Sequence, residues 1–86
     1  MEEFKVPDYN KDQTLRQCVQ AALDHYFAHL DGFGASDLYQ MVIHEVEKPL
    51  LETVMREAGG NQSRAANMLG MSRSTLRKKL AHHGLN

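Results

Sequence analysis

Gly70 lies between two short segments that each open on a helix-capping side chain, and this constrains the chain more than any other feature in it. Asn61 follows the glycine pair Gly59-Gly60 and can accept from the first free amides of a helix. Ala65, Ala66, Met68 and Leu69 form the expected inward face of that helix, and Gly70 ends it in the left-handed conformation that only glycine adopts cheaply. Ser72 caps a second helix, with Met71 before the cap and Leu76 at the fourth helical position suited to a hydrophobic staple. Leu76 and Leu80, four apart, hold that helix down on one face. Arg73, Arg77, Lys78 and Lys79 lie on it with no acid nearby. Two short helices joined by a tight glycine turn, the second basic, describe a helix-turn-helix of the kind that enters the DNA major groove.

Charge is divided along the chain in the same sense. Residues 1–55 carry four cations against ten acids, a balance of −6, whereas residues 56–86 carry six cations against Glu57 alone, a balance of +5; the two sum to the net −1. Such a split brings one end to a polyanion and keeps the other off it. A solvated basic face would account for the cations taken alone, and a plain helical hairpin for the two segments taken alone. Neither requires the cations to be concentrated on the second helix.

Ahead of this unit, residues 1–13 have no sustained period, with Pro7 and isolated Phe4, Val6 and Tyr9, and read as a flexible arm with at most a short strand at Phe4 to Val6. Thr14 and Gln17 match a capping box. Behind them Leu15, Cys18, Val19, Ala22, Leu23, Tyr26, Phe27 and Leu30 recur at helical spacing, an amphipathic helix stopped by Asp31-Gly32-Phe33-Gly34. Ser36 or its neighbour opens the next helix, with Asp37 expected in its first turn. The row Leu38, Val42, Val46, Leu50, Val54, Ala58 walks around that helix, and Met41, Leu51 and Met55 cover much of what remains. A helix apolar on most sides is buried on most sides, and three short helices cannot surround it. A second copy of the chain can, so residues 14–58 read as dimerisation helices, with Leu23, Phe27, Val42, Val46, Leu50 and Val54 at the interface. Pro49 falls inside this helix and either breaks or kinks it; the uninterrupted apolar pattern favours a kink.

Other chemistries leave no trace. The sequence has no nucleophile elbow, no zinc-protease motif and no phosphate-binding loop, so no enzymatic activity and no cofactor are expected. Cys18 is alone and on the apolar stripe, which excludes a disulfide framework and a cysteine zinc site and makes a reducing cytoplasm the default. His25 and His29 stand at i and i+4 without a third ligand, and a surface or interface pair is the simpler reading than a metal site. No run is long enough to cross a membrane, and the N-terminus lacks the basic start and apolar middle of a secretory signal.

Lys48-Pro49-Leu50-Leu51-Glu52, Gly60-Asn61-Gln62-Ser63-Arg64-Ala65-Ala66, the run from Gly70 through Leu80 and the closing Gly84-Leu85-Asn86 resemble the factor for inversion stimulation, Fis. The likeness extends back through Asp37-Leu38-Tyr39 and Tyr26-Phe27-Ala28 to about Leu15. It implies an all-α fold: four helices per subunit, an intertwined homodimer core and a C-terminal helix-turn-helix over residues 59–86. It also implies a cytoplasmic, nucleoid-associated protein that binds and bends double-stranded DNA at degenerate sites with A/T-rich centres and regulates transcription. RNA polymerase or a recombinase would be further partners. By position, Asn61, Ser63, Arg64, Ser72, Arg73, Thr75, Arg77, Lys78 and Lys79 fall where the family contacts DNA, and Arg73 matches its guanine-reading arginine.

Three departures from the best-known member stand out. Ser72 is shorter than the asparagine often found there, and Ala81 and His82 replace lysines, which weakens phosphate binding. Pro7 stands where that member builds a β-hairpin that activates DNA invertases, and proline cannot donate to a ladder. Two rival readings remain open. One is the DNA-binding tail of a sigma-54-type activator, against which stand the chain's own methionine start and its lack of room for an ATPase module. The other is a protein-interaction dimer whose basic helix meets an acidic partner.

Overall fold

In a computed structural model the described residues are 13–30 and 34–86, and they form four α-helices: α1 (Leu15–Ala28), α2 (Leu38–Glu57), α3 (Gln62–Leu69) and α4 (Arg73–His82). Residues 1–12, which hold most of the expected arm and the short strand at Phe4 to Val6, and residues 31–33 of the expected stop lie outside the described residues. The chain divides into two compact units, with the boundary inside α2 between Val42 and Ile43.

In the first unit, the capping box opens α1 as its sequence requires. Gln17 N–H donates to Thr14 Oγ1 at 3.1 Å, and Thr14 N–H donates back to Gln17 Oε1 at 2.8 Å. Cys18 and Ala22 are buried on the inward stripe, and the Cys18 thiol lies 3.7 Å from Gln13 Oε1. The helix stops at Ala28, two residues before the last apolar position of the expected stripe. At that end His29 Nδ1 donates to the His25 carbonyl at 2.8 Å, and His29 N–H turns to the Tyr26 carbonyl at 3.2 Å. At the start of α2 the expectation for Asp37 is corrected. Asp37 precedes the helix with φ 53, a left-handed setting that a short polar side chain tolerates, and its carbonyl receives Met41 N–H at 3.1 Å. No acid therefore lies in the first turn.

Helix α2 runs through Pro49 without a break. Proline supplies no amide to the Glu45 carbonyl, and both residues are exposed, so water can take that acceptor. Past Glu57 the chain turns on two left-handed glycines, Gly59 (φ 64) and Gly60 (φ 81), into the terminal helices.

The core of the second unit is one cluster: Leu51 from α2, Ala58 behind it, Ala65 and Ala66 from α3, Leu76 and Leu80 from α4. Val54, Met55, Leu69, Met71 and Leu85 pack against it, so Met71 of the expected staple joins the cluster that holds Leu76. The small side chains of Ala65 and Ala66 let α4 cross α3 closely. Met68, expected inward, instead points out and is 52% exposed. The eight-residue α3 has one narrow inward face, already filled by Ala65, Ala66 and Leu69.

Helix ends in this unit carry measurable stability. Asn61 Oδ1 accepts Arg64 N–H at 3.0 Å, and Ser72 Oγ accepts Thr75 N–H at 3.1 Å. Gly70 closes α3 at φ 75, and Met71 N–H then reaches the Ala66 carbonyl at 3.0 Å. A methyl group added at Gly70 would meet nothing within 4 Å, so the cost of alanine there is one of backbone conformation alone. Gly70→Ala is expected to lower unfolding free energy by about 1–2 kcal/mol, and Asn61→Ala by about 1 kcal/mol, each read by chemical denaturation.

Candidate nucleic-acid interface

Helix α4 turns about 100° per residue, which sorts its side chains into three faces. Leu76, Leu80 and the following His83 form the buried stripe. Arg73, Ser74, Arg77, Lys78 and Ala81 share the arc that runs round one flank of it, with Arg73 nearest the leucines. Lys79 falls about 100° beyond Lys78, on the side of α2.

The arc lines an open groove of about 590 Å³. Gln62 at the start of α3 and Asn86 at the chain end complete its walls. Arg73, Arg77 and Lys78 are exposed and form no ion pair among the described residues, so the groove presents three uncompensated cations. Such a lining suits a polyanion. The groove brings together Arg73, Arg77 and Lys78 from the expected contacts. Asn61, Ser63 and Arg64 sit exposed at the start of α3 beside Gln62. Gln62 and Asn86 have uncharged side chains, and the packing of α3 and of the segment after α4 brings them to the groove.

At the start of α4 the hydroxyls form a small network. Ser72 Oγ lies 2.9 Å from Thr75 Oγ1 and 3.2 Å from Ser74 Oγ. The single Ser72 proton is directed at Thr75, so Ser74 donates to Ser72, and the Thr75 hydroxyl keeps its own proton for an outside acceptor. Of the three, Ser74 is the one in the groove wall.

The expectation that no acid lies near the cations of α4 is corrected at Lys79. Its ammonium lies 2.8 Å from Glu47 Oε2 on α2, and His83 Nε2 lies 2.8 Å from Glu47 Oε1. Glu47 is 32 residues from Lys79 in sequence, beyond the reach of any local pattern. The Lys79 bond, helped by His83 and opposed by burial, holds the Glu47 carboxyl below the usual carboxylate range. A depressed folded pKa means that this contribution is complete above the ordinary carboxyl range and is lost as pH falls through the lowered value. The link between α2 and α4 is therefore intact at neutral pH.

Among the described residues no group of three or more His, Cys, Asp or Glu side chains is arranged to hold a metal ion. The His25 and His29 rings lie against each other with centroids 4.2 Å apart, tilted by 33°. Among those residues, too, no helix is long and apolar enough to cross a membrane.

Two family models match the chain. That of the bacterial regulatory proteins of the Fis family covers residues 42–83, which hold the core and every groove residue but Asn86. That of the N-terminal domain of the DNA-binding protein Fis covers residues 2–33.

Proposed function

Because this chain belongs to the Fis family, whose models describe DNA-binding and bacterial regulatory proteins, we propose that it is a homodimeric DNA-binding and DNA-bending protein that organises the nucleoid and regulates transcription. The observation that carries this reading is the arc of unpaired Arg73, Arg77 and Lys78 on a capped helix. In it α4 enters the major groove with Arg73 near its first turn, where a guanidinium can meet guanine O6 and N7 together. Arg77, Lys78 and the Thr75 hydroxyl hold phosphates, with Ser72 fixing the start of the helix and Lys79 at the flank. The open amides of α3 beside Asn61 and Ser63 receive a further phosphate, with Arg64 behind them.

A second copy of the chain completes this reading. Phe27 and Leu50 are 52% and 47% exposed, and Leu23, Val42 and Val46 are only half-covered, as is Val54, which also packs on the core of its own chain. Leu51 is the one fully buried side chain of α2, although apolar residues run around the helix. An apolar surface of that kind favours a partner, and two-fold pairing is the commonest solution. Two recognition helices held at a fixed spacing would require the DNA to bend wherever that spacing falls short of one turn, so groove width and flexibility would govern site choice. Contacts with RNA polymerase or a recombinase belong to the same reading and rest on the family alone.

Titration against duplexes with A/T-only and G/C-only centres, at two salt concentrations, tests this function. Preferential binding of the A/T centre is expected, with affinity falling steeply as salt rises. Equal affinity for both centres would remove shape readout, and weak salt dependence would remove the phosphate contacts.

A further inference from the structure

An acid packed against a DNA-reading helix repels the polyanion that the helix is there to meet, so Glu47 requires a reason. Its carboxylate is mostly covered, with 18% side-chain exposure, and each oxygen serves a different residue of the C-terminal segment at 2.8 Å. Oε2 receives Lys79, three positions from the end of α4, and Oε1 receives His83, the residue that caps that helix.

His83 is the more telling partner. Its side chain has no exposure at all, so it cannot touch a ligand, and its Nδ1 finds no hydrogen-bond partner among the described residues. Because Nδ1 is unmatched, the bond to Glu47 is the one hydrogen bond that holds this ring in the interior among the described residues. The ring is also packed, with the His44 centroid of α2 at 4.4 Å and the His82 centroid of α4 at 5.2 Å. The charged and titratable groups facing it are thus Glu47 and His44 from α2, and Lys79 and His82 from α4.

Resting on the DNA-binding reading given above, we propose that Glu47 is a positioning residue for DNA recognition, clamping the end of α4 to α2 through Lys79 and His83 so that Arg73, Arg77 and Lys78 meet the groove at a fixed rotation. Two attachments on adjacent turns fix both the roll of the helix about its axis and its height along α2; the leucine stripe alone would tolerate small rolls of the helix. Charge and position predict opposite outcomes when Glu47 loses its charge. Removing one negative charge beside a polyanion raises affinity if Glu47 acts only through its field. Removing the clamp lowers affinity and reduces discrimination.

The test compares Glu47→Gln, His83→Phe and the double variant with the unaltered full chain. Each is titrated with duplexes of about three turns carrying an A/T-only or a G/C-only centre. Far-ultraviolet dichroism at the assay temperature verifies folding, and the His83→Phe ring keeps the packing if Glu47→Gln does not fold. The expected result is a loss of about tenfold in affinity for the A/T-centred duplex in each single variant, the scale of a lost charge-assisted hydrogen bond. Affinity for the G/C-centred duplex should change less, and the double variant should be no worse than the poorer single one, because both remove one clamp. Folded Glu47→Gln binding as tightly as the unaltered chain, or more tightly, would overturn the proposal, as would His83→Phe with unchanged preference. If the unaltered chain binds neither duplex, the DNA-binding reading itself fails, and the proposal with it.

Discussion

Arg73→Ala is expected to lower affinity for a guanine-flanked duplex by tenfold to a hundredfold, matching the roughly 1–3 kcal/mol that a bidentate arginine–guanine contact contributes. The effect should be largest for duplexes with guanine at the contacted position, and the preference at that position should disappear with it. Arg73 is exposed, makes no ion pair among the described residues, and is the first residue of α4, so its removal leaves the core untouched. The melting temperature should therefore stay within a degree or two of the unaltered chain. Arg73→Lys separates charge from geometry. A lysine keeps the positive charge but not the planar fork, so the salt dependence should persist while the guanine preference is lost. A competition assay with guanine replaced by each other base reads both outcomes.

Leu80→Ala should act in the opposite way, removing binding by removing the fold. Leu80 has no exposure and sits in the one cluster that joins α2, α3 and α4. Its neighbours include Ala58, Ala65 and Ala66, side chains too short to move into a void. Truncating a buried leucine costs about 2–5 kcal/mol, and a site that cannot collapse lies toward the upper end. Whole domains are stable by only about 5–15 kcal/mol, and this unit is small, so a large share of the variant should be unfolded at 37 °C. Leu76→Ala should behave alike, since Leu76 is equally buried in the same cluster. Denaturant titration followed by far-ultraviolet dichroism distinguishes this loss from that of Arg73→Ala, which leaves the midpoint in place.

The parts of the fold that were legible in the sequence are those decided within four or five residues. Thr14 with Gln17, Asn61, Gly70 and Ser72 act on amides or carbonyls that are near neighbours in the chain, and each does in space what its spacing implies. Leu76 and Leu80 were equally legible, because a four-residue spacing fixes a shared face whatever lies opposite. Misreadings begin where a side chain must choose between faces or partners. Met68 could have gone inward on hydrophobicity, but α3 has a single narrow face and smaller residues already fill it. Lys79 looked like one more cation of a basic run until the roll of α4 set it opposite Glu47. Gln62 and Asn86 border the groove because of how α3 and the segment after α4 pack, a matter on which their own chemistry is silent. In α1, hydrophobic period alone could not foresee that the helix would end at Ala28, with the His29 ring on the His25 carbonyl.

In the proposed function, DNA is read by a pair of basic helices, each meeting a guanine through Arg73. Protection of guanine N7 from methylation in the complex with an A/T-centred duplex tests it most directly. The expected pattern is two protected guanines about one helical turn apart, on either side of the centre, both lost in Arg73→Ala. A single protected guanine would contradict the pair, and protection that survives Arg73→Ala would contradict the assignment of α4 as the reading helix.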